Sequence, residues 1–312
     1  MSARASVALV TGGRRGIGRG IAYAMADAGY DVVINDVEYD AATTETLETI
    51  AAKGRRAKFV LGDIADIESH AAMLDQAWAS FGVLDVLVNN AGVQVKVRGD
   101  ILDVTPESFD RLMGTNLRGT FFLTQAVAKR MVTEVRTPND PPRAIVTISS
   151  INATTIVGPN RAEYCISKTG LSMMTQLYAE RLAGDDIMCY EIRPGIINTD
   201  MTSSSKGRYD KMIAEGVSPV RRWGQPEDIG KTVAALASRA LPFNTGAAFY
   251  VDGGLHMKVM CCPQPTPTRL PGLNQPLLMA TAKVRARLSA TPARYCATSA
   301  TGAVVRVIAT PT

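Results

Sequence analysis

Residues 7–18 read Val7-Ala8-Leu9-Val10-Thr11-Gly12-Gly13-Arg14-Arg15-Gly16-Ile17-Gly18. A short apolar run leads into a glycine-rich turn, and then Ile17, Ile21, Ala24, Met25 and Ala28 recur at spacings of three and four. The run suits a strand covered on both faces, and the recurrence suits a helix laying one stripe against it. Gly29 stands where a helix C-terminus favours a left-handed residue. The glycines let the backbone turn sharply, and the helix start offers free N–H groups and the positive end of its dipole. A glycine cluster alone is a tight turn; between strand and helix it predicts a dinucleotide cradle made of Gly12, Arg14, Arg15, Gly16, Ile17 and Gly18.

The same rhythm continues outward. Apolar, β-branched runs recur at 32–34, 59–61, 86–88, 145–148, 188–192 and 248–251, separated by longer helix-like stretches. Gln225 followed by Pro226, Glu227 and Asp228 marks another helix start, with proline in the first turn and acids near the positive dipole end. Strand and helix alternating in this way predict an α/β fold, a doubly wound, Rossmann-like parallel sheet with right-handed crossovers. Residues 133–143, with Pro138, Pro141 and Pro142, read as a surface loop.

The 312 residues are 46% hydrophobic and 20% charged, enough for one large core. No stretch approaches the roughly 18 apolar residues of a membrane span, and the start lacks the apolar segment of a secretory signal, so a soluble, cytoplasmic chain is expected. Five cysteines without a CxxC pair support neither a disulfide scaffold nor a zinc ribbon. The net charge of +5 invites a nucleic-acid reading, but residues 257–312 hold seven basic residues and no acidic one, leaving 27 basic against 29 acidic before them. The body is close to neutral, and no aromatic interleaving or motif supports nucleic-acid binding. Residues 258–312 carry Pro263, Pro265, Pro267, Pro271 and Pro276, then Ala/Thr/Arg-rich sequence, and are expected to be a disordered tail beside a single domain over 1–257.

Asp36 ends the second run, 18 residues beyond Gly18, near the offset of roughly 20 at which an acid meets the adenosine ribose. A carboxylate there accepts from the ribose hydroxyls of NAD and repels the 2′-phosphate of NADP. Arg14 and Arg15 pull the other way, either as a phosphate clamp or by neutralising Asp36. NAD is the expected cofactor, with NADP as the alternative.

Asn89-Asn90-Ala91-Gly92 follows the fourth run and Ser149-Ser150 the fifth, Tyr164-Cys165-Ile166-Ser167-Lys168 comes next, and Pro194-Gly195-Ile196-Ile197-Asn198-Thr199-Asp200-Met201-Thr202 follows the sixth. Together with the glycine turn and Asn116, in this order, the set resembles the short-chain dehydrogenase/reductase family over residues 6–256. The last stretch is most similar to that of 3-oxoacyl-acyl-carrier-protein reductases. The resemblance implies an oxidoreductase moving a hydride between a nicotinamide and a small carbonyl or secondary alcohol, with Asn116, Ser150, Tyr164 and Lys168 as the catalytic set. Asn116 would anchor a water linking Lys168 to solvent. Asn90, Ala91 and Gly92 would line the cofactor's ribose side and Asp63 with Ile64 its adenine. Pro194, Gly195, Ile197 and Thr199 would border the nicotinamide, together with Tyr164 and Lys168. The family further implies a homotetramer using the helices of Asn116 and Tyr164, and a substrate that a carrier protein could present. A sugar or polyol dehydrogenase of the same family and a catalytically silent nucleotide sensor are the alternatives.

The chemistry can be argued beside the resemblance. Tyr164 and Lys168, four apart, share one helix face. A free phenol, with a pKa of roughly 10, is a poor base near neutrality. A neighbouring ammonium and an oxidised nicotinamide would have to supply roughly 4 kcal/mol to lower it by about three units. Tyr164 then exchanges a proton with a substrate oxygen polarised by Ser150, which is preferred to Ser149 on the family alignment. His70 and His256 have neither metal-ligand spacing nor triad-like partners. Cys165 reads as a packing cysteine rather than a redox switch. Residues 201–220, with Ser203, Ser204, Ser205, Lys206, Arg208, Tyr209 and Lys211, are expected to close the substrate pocket and set its specificity. Truncation after about residue 257 is expected to leave activity intact.

Overall fold

The runs become β1 (Val7–Thr11), β2 (Asp31–Asp36), β3 (Ala57–Leu61), β4 (Val86–Asn89), β5 (Arg143–Ile148), β6 (Ile187–Pro194) and β7 (Ala248–Val251). They form one sheet in the order β3-β2-β1-β4-β5-β6-β7, with every neighbouring pair parallel. The helices are α1 (Gly16–Asp27), α2 (Ala41–Ala52), α3 (His70–Phe81), α4 (Pro106–Leu112), α5 (Thr120–Thr133), α6 (Ala162–Leu182), α7 (Asp200–Ser203), α8 (Lys206–Ala214) and α9 (Pro226–Ala237). This computed structural model describes residues 4–156, 160–203 and 205–257. The expected disordered tail and Ser204 lie outside the described residues. None of the described helices is long and apolar enough to cross a membrane.

Alternation along the buried strands divides the core in two. Ala8, Val10, Val32, Ile34, Val86 and Val88 point to the face covered by Ile21 and Met25 of α1 and by Ile229 and Val233 of α9. Val7, Leu9, Val33 and Leu87 point to the other face, against Leu74 of α3, Leu123 and Val127 of α5 and Leu182 of α6. Each such side chain contributes about 1.5–3 kcal/mol by leaving water. β3 departs from the expectation of a strand covered on both faces: Val60 is buried but Leu61 is exposed, because β3 is an outer strand.

On the first face α1 and α9 meet backbone to backbone. A Cβ on Gly230 would lie 2.4 Å from the Gly20 carbonyl oxygen, and one on Gly20 would lie 2.5 Å from Pro226. α9 starts as expected, with Pro226 in its first turn and a reciprocal cap between Gln225 and Asp228. At the opposite end of the strands, fully buried Asp85 takes two 2.7 Å hydrogen bonds from Arg4, one of 2.9 Å from Arg136 and one of 2.9 Å from the Val7 amide. The proline-bearing loop between α5 and β5 is thereby tied down through Arg136.

From β1 the chain runs outward through β2 to β3, then crosses back to β4 on the other side of β1. The loops leaving the C-terminal ends of β1 and β4 therefore diverge and open a crevice between them. One irregularity borders it: residues Met113–Gly119, between α4 and α5, wind as a π-helix, and Asn116 lies within it.

Candidate active site

A cavity of about 710 Å³ sits over the C-terminal ends of the central strands. Every residue expected at the site lines it except Asn116, which is fully buried behind the wall. At the glycine turn, Thr11 Oγ1 accepts hydrogen bonds of 3.1 Å from the Asn90 and Ala91 amides. Asn90 Nδ2 donates to the carbonyls of Thr11 at 2.8 Å and Gly12 at 3.0 Å. The Asn90 side chain thus staples the turn to the end of β4, a task that its expected place beside a ribose did not foresee. Gly12 has φ +62° and Gly16 φ +56°, the left-handed region that favours glycine. A Cβ on Gly18 would fall 2.0 Å from the Gly12 oxygen and 2.6 Å from Asn90 Nδ2. Arg15, at the N-cap, makes no side-chain cap, so α1's first N–H groups remain open to an anion.

At the far end of β2, Arg14 is caged by acids. It contacts Asp36 at 3.3 Å and Glu38 at 2.8 Å, and it is also paired with Asp40. Burial pulls the guanidinium's pKa down, but Asp36, Asp40 and Glu38 together hold it above its ordinary value. Arg14 therefore neutralises Asp36 and is itself engaged. Arg15 is exposed, 3.7 Å from Asp200. The parts of Glu38 and Asp40 in this cage were not foreseen from the sequence. Asp63 accepts from the Ala65 amide at 2.9 Å, and the Ile64 carbonyl accepts from His70 Nε2 at 2.8 Å. His70 is thus a brace under this loop.

The reacting end gathers on one face of α6. Tyr164, Lys168 and Ser172 follow at intervals of four, and all three are buried. Lys168 Nζ donates to the Ile148 carbonyl at 3.1 Å and lies 5.7 Å from the Tyr164 ring centroid. Ser150 stands beside the Tyr164 phenol and pulls its pKa down, and its own Oγ accepts from the Asn152 amide at 3.1 Å. Ser149 turns away to Glu191, so of the two serines Ser150 is the one beside the phenol. Asn116 Oδ1 accepts from the Val93 amide at 2.7 Å, while its Nδ2 donates to the Val93 carbonyl at 3.0 Å and to Ser167 Oγ at 3.1 Å. A Cβ on Gly92 would meet Asn116 Oδ1 at 3.2 Å and Lys168 Nζ at 3.5 Å, so Gly92 lets these groups converge.

The electrostatics differ from the sequence expectation. Burial pushes the Tyr164 phenol above its ordinary value, with Ser150 and Arg161 pulling it down. Lys168 is itself lowered to about 8 by burial, with Glu191 pulling it back up. The lysine does not by itself make the phenol acidic, because desolvation inside the fold acts on both groups and favours their neutral forms. The Cys165 thiol is also pushed up by burial, which suits packing.

Beyond the tyrosine, Gln94, Lys96, Arg111, Asn152, Arg161, Met201, Thr202 and Tyr209 line the rest of the cavity. The 201–220 segment contributes α7 and α8, but its basic residues point elsewhere than expected. Lys206 pairs with Asp210 at 2.8 Å and Lys211 with Glu215 at 3.9 Å. Tyr209, buried and edge-on to Trp223 at 5.7 Å, faces the cavity instead. Pro194, Gly195, Ile197 and Thr199 form the wall after β6, with Ile197 bridged to Gly224. His256 Nδ1 meets Asp252 at 2.8 Å and stacks on Tyr250, an acidic partner that the sequence did not reveal.

A family model described as enoyl-(acyl carrier protein) reductase matches residues 12–256. The chain is 46% identical to a 3-oxoacyl-[acyl-carrier protein] reductase from Brucella melitensis, whose crystal structure is a complex with NAD; that match covers 83% of this chain and 100% of the other, with a TM-score of 0.79. It is 34% identical over 251 residues to a 3-oxoacyl-[acyl-carrier-protein] reductase of Staphylococcus aureus, spanning 80% of this chain and 98% of the relative. It is equally 34% identical over 252 residues to an L-rhamnose 1-dehydrogenase (NAD(P)(+)) of a Sphingomonas species, spanning 80% and 96%. With these matches running the length of the sheet and its crevice, the chain belongs to the short-chain dehydrogenase/reductase family of oxidoreductases.

Proposed function

We propose that the protein interconverts a small carbonyl compound and its secondary alcohol with NAD(P), preferring NAD, and that Tyr164 exchanges the proton. The observation that carries this reading is the convergence of Ser150, Tyr164 and Lys168 on one cavity wall that also holds the glycine turn. The residues present fit a dinucleotide. The turn is too narrow for a side chain at Gly18, α1's first amides are uncapped, and a carboxylate cluster stands at the end of β2. Gly12, Gly16, Ile17 and Gly18 would hold the pyrophosphate, and Asp36 the adenosine ribose, with Asp63 and Ile64 flanking the base. Asn90, Ala91, Gly92, Pro194, Gly195, Ile197, Thr199 and Lys168 would border the other half. Bound there, the nicotinamide gives or takes the hydride at the substrate carbon.

The chain's own part is proton handling and orientation. Ser150 donates to the substrate oxygen and keeps it beside the phenol. The raised pKa of Tyr164 keeps the hydroxyl protonated near neutrality, which suits delivering a proton to a carbonyl being reduced. Lys168, held on the Ile148 carbonyl, supplies positive charge below about pH 8 that lowers the cost of the transient phenolate. Asn116 fixes Val93 and Ser167, keeping the loop after β4 in register with α6.

The charge of the substrate half supports an anionic substrate. Arg161, Arg111 and Lys96 line it, whereas the cavity-lining carboxylates Asp36, Asp63 and Asp200 stand beside the ends of β2 and β3 or near Arg15. Arg161 is buried, three residues before Tyr164, and its charge reaches the phenol. An oxo or hydroxy acid with its carboxylate near the reacting carbon fits better than a neutral sugar. The names of the relatives favour 3-oxoacyl thioesters, and carrier-protein presentation belongs to that second reading. The test is NADH and NADPH oxidation with a panel of oxo acids, 3-oxoacyl thioesters and neutral ketoses. Oxo acids should be reduced with the highest kcat/KM, and Arg161→Gln should lower that value at least about tenfold more than it lowers the value for neutral substrates. Coenzyme binding without turnover on any of them would instead favour a nucleotide sensor.

A further inference from the structure

β6 carries two charged residues inside an otherwise apolar, buried run. Glu191 and Arg193 are both at least nine-tenths buried, and nothing in the reaction outlined above uses them directly. Arg193 donates to both carboxylate oxygens of Glu191, through Nε at 2.8 Å and Nη2 at 2.9 Å. The carboxylate also accepts from Ser149, the neighbour of Ser150, and from Ser172 at 2.6 and 2.7 Å. Ser172 is one helical turn beyond Lys168 on the α6 face that bears Tyr164. One side chain therefore grips both supports of the reacting group, the end of β5 and the Tyr164–Lys168–Ser172 row. The other end of the pair points away, with Arg193 Nη1 donating to Tyr250 at 2.7 Å.

Burying this pair costs desolvation that an apolar pair at the same positions would not incur, so stability alone gives a poor reason for it. We propose that Glu191 is a positioning residue for the reaction at Tyr164: it locks Ser150's strand end against α6 and provides the buried counter-charge of the Lys168 ammonium. The groups facing Lys168 bear this out by exclusion of another source. Around it stand the Ile148 carbonyl from β5, the loop at Gly92 with Asn116 behind it, and Tyr164 on its own helix; beyond them lies the Glu191–Arg193 pair, bonded to Ser149, next to Ile148, and to Ser172, one turn from Lys168. Among these groups Glu191 brings the carboxylate, and it opposes the fall in Lys168's pKa that burial imposes.

The proposal rests on the catalytic reading of Tyr164 and Lys168, so its test needs a readout that requires no turnover. In the full chain labelled with 13Cε-lysine, the Lys168 resonance is assigned by its loss in Lys168→Arg and followed against pH. It should titrate near 8 in the wild type and about one pH unit lower in Glu191→Gln, with Glu191→Asp returning it close to the wild-type midpoint. Glu191→Gln leaves Arg193 without its partner. Glu191→Gln/Arg193→Met removes that orphaned charge and, measured against Arg193→Met alone so that the loss of the guanidinium cancels, should show the downward shift in a folded protein. With an active substrate, the high-pH limb of kcat should move by the same amount, while KM for the coenzyme stays within about twofold. Equal Lys168 midpoints in the folded double variant and in Arg193→Met would overturn the proposal, as would a loss of kcat with an unmoved limb. Failure of the wild type to reduce any carbonyl would sink the catalytic reading alone, because the resonance still reports the counter-charge.

Discussion

The two halves of the crevice are built from different materials. The β1–β4 side is made largely of backbone: glycines at Gly12, Gly16 and Gly18, uncapped amides of α1, and Thr11 and Asn90 side chains that hold main chain in place. The β5–β6 side is made of side chains drawn from distant segments: Ser150, Tyr164, Lys168, Arg161 and Tyr209. A surface of backbone recognises what every dinucleotide shares, and it fails abruptly when a single atom intrudes. A surface of side chains sets chemistry and selectivity, and it can be edited one function at a time.

Three substitutions press on this contrast, from the largest effect to the smallest. Tyr164→Phe deletes one oxygen from the side-chain half, so kcat should fall by about 10²–10⁴-fold while coenzyme affinity from fluorescence titration stays near wild type. A comparable loss of affinity would show that the halves are not separable. Gly18→Ala adds one carbon to the backbone half, where it would lie 2.0 Å from the Gly12 oxygen. Calorimetric titration should show coenzyme Kd raised at least about a hundredfold, and unfolding in urea should show a loss of about 1–3 kcal/mol. Retained binding would mean that the turn yields more readily than its close contacts allow.

Asp36→Ala tests the one carboxylate at the boundary. It should move the ratio of kcat/KM values toward NADPH by about tenfold. The shift is limited because Glu38 and Asp40 still hold Arg14 and keep the surroundings acidic. An unaltered ratio would remove Asp36 from coenzyme selection.

The backbone half was the legible one. Seven apolar runs announced seven strands, and the glycine turn announced the crevice, since local sequence alone dictates both. On the side-chain half Ser150, Tyr164, Lys168 and Tyr209 could be named as candidates from the sequence, Arg161 was not, and the wiring was out of reach. Ser149 and Ser150 are neighbours in sequence, and only the fold shows one turned to Glu191 and the other to Tyr164. Arg14's cage needs two acids from the loop beyond β2. Spacing shows the ammonium near the phenol but not the burial that acts on both groups. Glu191 did leave a trace, a charged residue within an apolar strand run, which in a buried strand demands a partner.

The π-wound stretch around Asn116 carries a consequence for how this chain can vary over evolutionary time. A π turn accommodates one more residue than the regular winding on either side. Loss of a single codon from it would let the stretch relax into ordinary α-helix and swing Asn116 by roughly 100° about the axis, away from Val93. The length of this stretch is a gauge, and descendants that keep Asn116 facing inward must keep the count.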